Sequence, residues 1–405
     1  MSAAASITMQ SDNNQDPIVI VGTGLAGYTL ARELRKLDSE TPVLIVSRDD
    51  GRFYSKPALS NALATNTEPH ALARFDAPAM AQQLQARVWT HRQVERLVPQ
   101  EHAIVVDGQR VRYRALVLAT GADPRRVQVE GDGAADVLSV NDLGDYARFR
   151  ERLAGCRSVA LLGAGLIGCE FANDLLAGGY AVTLIDPAPL PLARLLPPEA
   201  GETFARALAA AGVDLRLARG VQSIVKTSAA TREPGYRLTL SDGAALDADL
   251  VVSAVGLAPR TSLASAAGLQ IEGGIATDAW CRTSAPDVYA LGDCAAIEGR
   301  VQPYVLPIMH AARALAQTLA GTLTRVAFPV MPIVVKTPAV PAVVVSPDSA
   351  QGRWTIEAGT HDSAHALRAI CADEATQRMS GFALLGAAVA DKAALLKTMA
   401  TATAT

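Results

Sequence analysis

A Gly-x-Gly-x-x-Gly sequence occurs twice in this chain, each time between a β-branched apolar run and a helical pattern. The first copy follows the run 18–21 and comprises Gly22, Thr23, Gly24, Leu25, Ala26 and Gly27. The second copy follows the run 158–162 and comprises Gly163, Ala164, Gly165, Leu166, Ile167 and Gly168. A strand before the motif and a helix after it make the motif much more specific than its glycines alone. Each copy therefore predicts a βαβ unit that binds a dinucleotide.

The three glycines of the motif have separate physical roles. The first permits a tight turn, the second lets the backbone approach a pyrophosphate, and the third lets helix and strand pack closely. The pyrophosphate then lies at the positive end of the helix dipole, where free N–H groups point at it. The alternative is a glycine-rich turn that binds no ligand, which the flanking strand and helix disfavour.

The second strand of each βαβ unit ends differently in the two copies. In the second unit it ends at Asp186, and an acid there hydrogen-bonds the adenosine ribose and repels a 2′-phosphate. In the first unit the strand ends in Ser47, Arg48 and Asp49, with no acid at the first position. The second unit therefore favours NADH over NADPH. Different ribose contacts imply that the two units bind two different dinucleotides. The simplest such pair is FAD with NADH.

Three further apolar strands end in small or acidic residues, which suit a close approach to a ligand. Small residues let the backbone come near it, and a carboxylate suits a polyhydroxylated ligand. These strand ends are Ala119, Thr120 and Gly121; Gly256; and Gly292 and Asp293.

The composition of the 405 residues excludes several other functions. A net charge of −3 and 4% aromatic residues argue against a nucleic-acid binder. No apolar run reaches the ~18 residues of a membrane span, and the first sixteen residues, expected to be a disordered lead, lack the features of a secretory signal. Five cysteines without a C-x-x-C or C-x4-C spacing predict no zinc site and no local dithiol. The expected compartment is the reducing cytoplasm.

These motifs resemble those of the FAD-dependent pyridine nucleotide oxidoreductases, and within them the rubredoxin reductases of alkane-oxidising bacteria. The resemblance covers nearly the whole chain, from about residue 17 into the C-terminal region. The stretches that resemble the wider family are 22–27, 54–57, 119–121, 163–170 and 289–293. Those that resemble the rubredoxin-reducing branch are 304–307 and 335–338.

The resemblance implies an α/β fold with two Rossmann-like dinucleotide-binding domains, for FAD and NAD, and a small α+β C-terminal domain. The FAD-binding domain is expected from two segments, 17–122 and 248–325. The NAD-binding domain, 123–247, is expected between them, and the C-terminal domain over 326–405.

The resemblance also assigns residues to the FAD site. Asp293 is expected to hydrogen-bond the ribityl chain, with capping of the following turn as its alternative role. Ser47 and Arg48 are expected beside the adenosine, where many relatives have a Glu. Val94 is expected to hold the adenine through its backbone, although a lone Val would otherwise be assigned to the core. The amides near Val305, which open a helix, are expected to stabilise charge on the reduced flavin.

Three charged residues are expected near the flavin on the same basis. Lys56 matches a position where relatives carry Arg or Lys against the flavin or its phosphates. Many ferredoxin reductases have a second Lys five positions further on, but this chain has Asn61, so their Lys–Glu pair beside the flavin is expected to be absent. Glu170, the partner position, is expected against the flavin or the nicotinamide ribose, or alternatively as a favourable acid in a first helical turn. Lys336 is expected to reach the flavin from the C-terminal domain, or alternatively to be a solvated surface lysine.

The expected chemistry is hydride transfer from NADH to FAD, for which the cofactors supply the reactive groups and no catalytic residue is assigned. Between Gly22 and Cys156 there is no cysteine, which excludes the disulphide relay of glutathione-reductase-like relatives. Electrons are therefore expected to pass singly to rubredoxin, for alkane hydroxylation or for defence against oxidative stress.

Rubredoxin is expected to dock briefly through a small, electrostatically steered interface on a monomer or weak dimer. Because rubredoxins are typically acidic, a basic patch is expected near the flavin edge. Two alternatives differ in function. One is a ferredoxin reductase that supplies a [2Fe–2S] ferredoxin to a dioxygenase or cytochrome P450, and the other is a redox-sensing flavin scaffold.

Overall fold

The computed structural model describes residues 16–227, 235–347, 352–357 and 365–403, so the predicted lead lies, but for Asp16, outside the described residues. The strands in these ranges are β1 (Ile18–Val21), β2 (Val43–Val46), β3 (Phe53–Tyr54), β4 (Ala73–Phe75), β5 (Arg87–Trp89), β6 (Val94–Val98), β7 (Ala103–Val106), β8 (Gln109–Arg112), β9 (Ala115–Leu118), β10 (Ala122–Pro124), β11 (Leu138–Ser139), β12 (Ser158–Leu162), β13 (Ala181–Asp186), β14 (Asp214–Leu217), β15 (Val221–Lys226), β16 (Tyr236–Leu240), β17 (Ala245–Ala248), β18 (Leu250–Ser253), β19 (Leu257–Pro259), β20 (Ile275–Thr277), β21 (Val288–Ala290), β22 (Ala295–Ile297), β23 (Ile333–Val335), β24 (Ala342–Val345), β25 (Gly352–Glu357), β26 (Leu367–Asp373) and β27 (Met379–Leu385).

The helices in the same ranges are α1 (Leu25–Arg35), α2 (Ala77–Leu84), α3 (Leu143–Leu153), α4 (Leu166–Ala177), α5 (Pro198–Ala210), α6 (Ser262–Ala266), α7 (Val305–Leu319) and α8 (Lys392–Thr403). Short 3-10 turns lie at Lys56–Asn61, Pro69–Leu72, Pro99–Glu101, Ala134–Asp136 and Gly386–Asp391. Within the described ranges, none of these helices has the length and apolar character that crossing a bilayer would take.

The first of two compact units comprises residues 16–53, 74–122 and 259–327. Its parallel sheet has the order β21-β9-β1-β2-β5. The β-branched run of β1 lies at the centre and is buried, as expected for a strand covered on both faces. The strand order reverses beside β1, because β2 lies on one side and β9 on the other. Ligands of such sheets bind outside the carboxyl ends of the strands at this reversal, where residues 22–27 and 119–121 follow β1 and β9.

The second unit comprises the described residues within 54–73, 123–258 and 328–403. Its parallel sheet has the order β11-β18-β12-β13-β14. The order again reverses, here beside β12, between β13 and β18. Residues 163–168 and 254–256 follow β12 and β18 at the same edge. These two parallel sheets confirm the predicted α/β class with two Rossmann-like halves.

The C-terminal residues of the second unit form an antiparallel sheet in the order β23-β24-β27-β26-β25, followed by α8, as an α+β domain requires. One apolar cluster contains side chains of this sheet and of the second parallel sheet, including Leu161, Leu184, Val344 and Leu385. Helix α5 packs against β26 and β27. Shared burial therefore joins the C-terminal sheet to the NAD-type sheet in one compact unit.

Two segments lie elsewhere than the sequence borders imply. Strand β18, expected in the FAD-binding domain, pairs with β12 in the second sheet, because its buried apolar residues need a hydrogen-bonded neighbour on each side. Residues 54–73 also belong to the second unit, where Leu59 and Ala62 are buried in the apolar cluster that contains Leu175. The remaining borders stay a prediction.

Candidate nucleotide-binding sites

The first glycine loop follows β1 and requires glycine at its two outer positions. Gly22 has a φ of +121°, and a Cβ there would overlap the carbonyl oxygen of Ala119. A Cβ on Gly27 would overlap the carbonyl oxygen of Gly22. By contrast, a Cβ on Gly24 would have no atom within 4 Å. The space in front of Gly24 is therefore open to a ligand.

Helix α1 begins directly after this loop with backbone amides that no side chain caps. Gly24 is the N-cap without a side-chain cap hydrogen bond, and the first turn from Leu25 contains no acidic residue. The first N–H groups of a helix lack intrahelical partners, and the helix dipole favours an anion there. The open space and these amides together fit a dinucleotide pyrophosphate.

The loop after β21 lies against the start of the same helix. A Cβ on Gly292, whose φ is +81°, would lie 2.8 Å from the Cβ of Ala26. The structure thereby brings the neighbouring Asp293, which is half-buried, to the first glycine loop. Helix α7 packs against α1, and its first residue, Val305, follows the N-cap Tyr304, which also forms no side-chain cap hydrogen bond.

Residues 119–121 lie beside the first glycine loop and are fixed by a residue that the sequence analysis missed. The Thr120 hydroxyl donates to the Arg260 carbonyl oxygen at 3.0 Å, and Arg260 Nη1 donates to the Thr120 carbonyl oxygen at 2.8 Å. The Arg260 amide also donates to the carbonyl oxygen of Gly121 at 3.0 Å. No local signal could have identified Arg260, since it lies 140 residues away in sequence.

Ser47 lies close to the first glycine loop, whereas Arg48 is exposed. The Ser47 hydroxyl is buried, 2.8 Å from the Thr23 hydroxyl. The Ser47 carbonyl oxygen accepts from the Arg92 amide at 2.9 Å. Val94 is buried at the start of β6, two residues after Arg92. The structure thus brings Thr23 and Ser47 together and places Val94 nearby along the chain.

The second glycine loop repeats the geometry of the first. A Cβ on Gly163, whose φ is +106°, would lie 2.8 Å from the Ala254 carbonyl oxygen. A Cβ on Gly168 would overlap the carbonyl oxygen of Gly163, while a Cβ on Gly165 would have no atom within 4 Å. Helix α4 begins at Leu166 with no side-chain cap and no acid in its first turn. This loop also fits a pyrophosphate.

Asp186 lies at the second glycine loop, as its position at the end of β13 predicts. Its Oδ2 accepts from the Ala164 amide at 2.6 Å, and its Oδ1 accepts from the Ala188 amide at 2.7 Å. Ile167, in the first turn of α4, is 41% exposed. Gly256 is also exposed and has a φ of +107°.

Glu170 is buried in the second unit and bound by residues from two other segments of the chain. Its carboxylate is 2% exposed and accepts from the Ser60 hydroxyl at 2.5 Å and the Lys336 amide at 3.0 Å. Lys336 Nζ lies 3.4 Å from the carboxylate and also donates to the Pro57 carbonyl oxygen. Both oxygens of Glu170 therefore have donors from the protein itself.

The absence of a flavin-side Lys–Glu pair with its lysine at position 61 stays a prediction. Glu170 does form an ion pair, but with Lys336, directly after β23, whose ammonium group lies 3.4 Å from the carboxylate. Asn61 instead donates to the Ser60 hydroxyl at 3.2 Å. Lys56 lies half-buried at the start of the same 3-10 turn. The sequence analysis missed Ser60, which has no motif of its own.

The five cysteines are free thiols. Cys156 is half-buried, and the others, Cys169, Cys281, Cys294 and Cys371, are buried. Burial raises the pKa of Cys281 to about 12 and also raises the pKa of Cys169 and Cys294. Such thiols are neutral near pH 7 and poor nucleophiles. Within the part of the chain that the structure describes, no group of three His, Cys, Asp or Glu side chains could hold a metal ion.

Two family models match this chain. Residues 16–318 match the model of pyridine nucleotide-disulphide oxidoreductases. Residues 325–399 match the model of the rubredoxin binding C-terminal domain.

Individual proteins are similar over most of their length. A rubredoxin-NAD(+) reductase of Alcanivorax borkumensis is 44% identical over 94% of this chain and 98% of its own. One of Acinetobacter baylyi is 43% identical over 92% and 94%. The solved ferredoxin reductase for the CYP199A2 system of Rhodopseudomonas palustris is 26% identical with a TM-score of 0.81, over 92% of this chain and 91% of that chain.

Proposed function

Since this chain belongs to the pyridine nucleotide-disulphide oxidoreductase family, we propose that it supplies rubredoxin with electrons from NADH for the hydroxylation of alkanes. The transfer itself, from NADH through FAD to rubredoxin, rests on one observation above all. Residues 325–399 match the rubredoxin-binding domain, and two rubredoxin-NAD(+) reductases are similar over 94% and 92% of this chain. The alkane pathway rests on the resemblance of residues 304–307 and 335–338 to reductases of alkane-oxidising bacteria. Defence against oxidative stress is the alternative destination of the electrons.

The first unit holds FAD. When bound, FAD accepts hydride from NADH and releases single electrons. The amides at the start of α1 bind its pyrophosphate, and Gly24 lets the backbone approach. Asp293 accepts hydrogen bonds from ribityl hydroxyls, and the uncapped amides at Val305 stabilise negative charge. The geometry that supports these roles is the contact of Gly292 with Ala26 at the first loop.

The second unit holds NADH. The amides of α4 bind its pyrophosphate, and Asp186 accepts hydrogen bonds from the adenosine ribose while repelling a 2′-phosphate. The contact of Asp186 with the Ala164 amide supports this role, because it holds the carboxylate at the loop where the ribose arrives. Hydrogen bonds among Ser60, Glu170 and Lys336 join three segments of this unit. We therefore assign these residues the role of holding the three segments in position.

Direct transfer from FAD to rubredoxin agrees with the state of the cysteines. All five are free, and burial raises the pKa of Cys169, Cys281 and Cys294, which makes these thiols poor nucleophiles for a disulphide relay. Free cysteines are typical of a reducing compartment, which supports the proposed site of action in the cytoplasm.

The decisive experiment compares two acceptors. The full chain, purified with its flavin, receives NADH and either rubredoxin or a [2Fe–2S] ferredoxin at equal concentration, and acceptor reduction is followed by absorbance. We expect a higher kcat/KM for rubredoxin. NADPH in place of NADH is the matched control and should give slower reduction. Equal rates for both acceptors, or faster reduction of ferredoxin, would contradict the assignment.

A further inference from the structure

The two βαβ units of this chain can be aligned by the register of their own strands. Val21 pairs with Val46 in the first sheet, and Leu162 pairs with Ile185 in the second. The glycine after each first strand donates its amide to the last of these residues, Val46 or Ile185, at 2.8 Å in both units. Ser47 therefore occupies in the first unit the position that Asp186 occupies in the second.

A carboxylate nevertheless reaches this position in the first unit, from two residues further along. Asp49 Oδ1 accepts from the hydroxyl of Ser47 at 2.6 Å and lies 2.8 Å from the hydroxyl of Thr23. The same oxygen accepts from the Gly51 amide at 3.0 Å. Thr23 and Ser47 are both buried, so the cluster holds the Asp49 carboxylate firmly at the loop.

The contacts of Asp49 and Asp186 correspond. Thr23 and Ala164 are the second residues of their Gly-x-Gly sequences, and each donates to the acid of its own unit, through a hydroxyl in one and an amide in the other. Asp49 Oδ2 has no hydrogen bond to any residue within the described ranges, and Asp49 is exposed. One oxygen anchors the carboxylate, and the other is free to accept from a ligand.

The turn that carries Asp49 is fixed from behind. The Tyr28 hydroxyl donates to the Gly51 carbonyl oxygen at 2.5 Å. Gly51 has a φ of +71°, and a Cβ there would lie 2.8 Å from Thr90 Cγ2 and 2.9 Å from Ala77 Cβ. Residues of α1, of α2 and of the loop after β5 thus surround this turn, which places the Asp49 carboxylate at the first glycine loop.

We propose that Asp49, oriented by Thr23 and Ser47, accepts hydrogen bonds from the adenosine ribose hydroxyls of FAD. The proposal rests on FAD as the cofactor of the first unit. The two nucleotide sites then use the same chemistry, a carboxylate on a ribose, although the acid is attached at different positions. Ser47, which occupies the position of Asp186, donates its hydroxyl to the carboxylate of Asp49, two residues further along the chain.

The test uses the full chain after removal of its flavin. FAD, an FAD analogue with 2′,3′-dideoxyadenosine, and FMN are titrated, and binding is followed by quenching of flavin fluorescence. We expect the unchanged chain to bind FAD about 10- to 100-fold more tightly than the dideoxy analogue, as for hydrogen bonds to a charged group. Asp49→Asn should remove most of that preference and leave FMN binding unchanged.

Asp50→Asn is the matched control, because Asp50 lies in the same turn but its carboxylate binds Arg52 at 2.7 Å. This variant should keep the preference for FAD over the analogue. If Asp49→Asn weakens all three flavins equally, Asp49 supports only the turn and the proposal is wrong. If the unchanged chain binds FAD and its analogue equally, the proposal is also wrong, while rubredoxin reduction stands. Failure to bind any FAD would overturn both.

Discussion

Replacing Lys336 by methionine removes the ammonium group that faces a buried carboxylate. Glu170 is 2% exposed and keeps two neutral donors in the variant, the Ser60 hydroxyl at 2.5 Å and the amide of residue 336 at 3.0 Å. Methionine retains the length and apolar stem of lysine. The variant therefore tests the charge of Lys336 with little change in packing.

The magnitude follows from the unequal burial of the two partners. Breaking a fully buried ion pair costs about 3–5 kcal/mol, whereas an exposed pair contributes at most ~1 kcal/mol. The Lys336 side chain is 39% exposed, and the two remaining donors still stabilise the carboxylate. We expect Lys336→Met to lower the free energy of unfolding of the second unit by about 1–3 kcal/mol. For a unit of this size the melting temperature should fall by about 3–9 °C.

The assay is thermal unfolding followed by circular dichroism, with the Glu170→Gln and double variants measured in parallel. The double variant buries no charge, so it should be more stable than Lys336→Met alone. The control is Lys36→Met, since Lys36 is 66% exposed in an i,i+3 pair with Glu33 and should contribute at most ~0.5 kcal/mol. An unchanged melting temperature for Lys336→Met, or strictly additive effects in the double variant, would refute the reasoning.

Three further predictions use other parts of the two units. Gly27→Ala should destabilise the first unit and release FAD, because the added Cβ overlaps the Gly22 carbonyl oxygen. Gly24→Ala should keep the melting temperature of the flavin-free protein and lower only its affinity for FAD. If the two variants have equal melting temperatures and equal flavin-to-protein absorbance ratios, this prediction is wrong. Asp186→Ala should raise KM for NADH and reduce the preference over NADPH, and an unchanged ratio of kcat/KM values would count against its ribose role. Burial raises the pKa of Asp174, although the Leu63 and Ala64 amides donate to it at 3.0 and 2.7 Å. At a pH between the unfolded and the folded pKa, the Asp174 carboxyl group therefore keeps a proton in the folded state that it has lost in the unfolded state. The free energy of unfolding of the unchanged chain, relative to that of Asp174→Asn, should thus decrease as pH rises from about 4. Urea denaturation at several pH values measures this difference, and a difference independent of pH would refute it.

The two nucleotide-binding loops illustrate what could be predicted locally. The positions that need glycine, such as Gly22 and Gly163, are determined by backbone geometry within a few residues of each strand end. The acid Asp186 was also predictable, because it ends the strand adjacent to its own loop. A motif that includes strand, turn and helix thus contains most of its own geometry.

Asp49 marks the limit of that reasoning. Its sequence position, three residues beyond the end of β2, gave no reason to place it at the loop. The hydroxyls of Thr23 and Ser47 bring it there, and Tyr28 holds the following turn from another element. These contacts depend on how the helix, strand and turn pack.

The α/β class, both glycine loops and the acid of the second loop follow from local sequence, because dihedral limits and hydrogen bonding act over short stretches of chain. The pairing of β18 with the second sheet and the pairing of Lys336 with Glu170 depend instead on long-range packing. Ser60 and Lys336 lie 110 and 166 residues from Glu170. Such partners meet because apolar surfaces far apart in sequence are buried together, and sequence separation does not specify which surfaces those are.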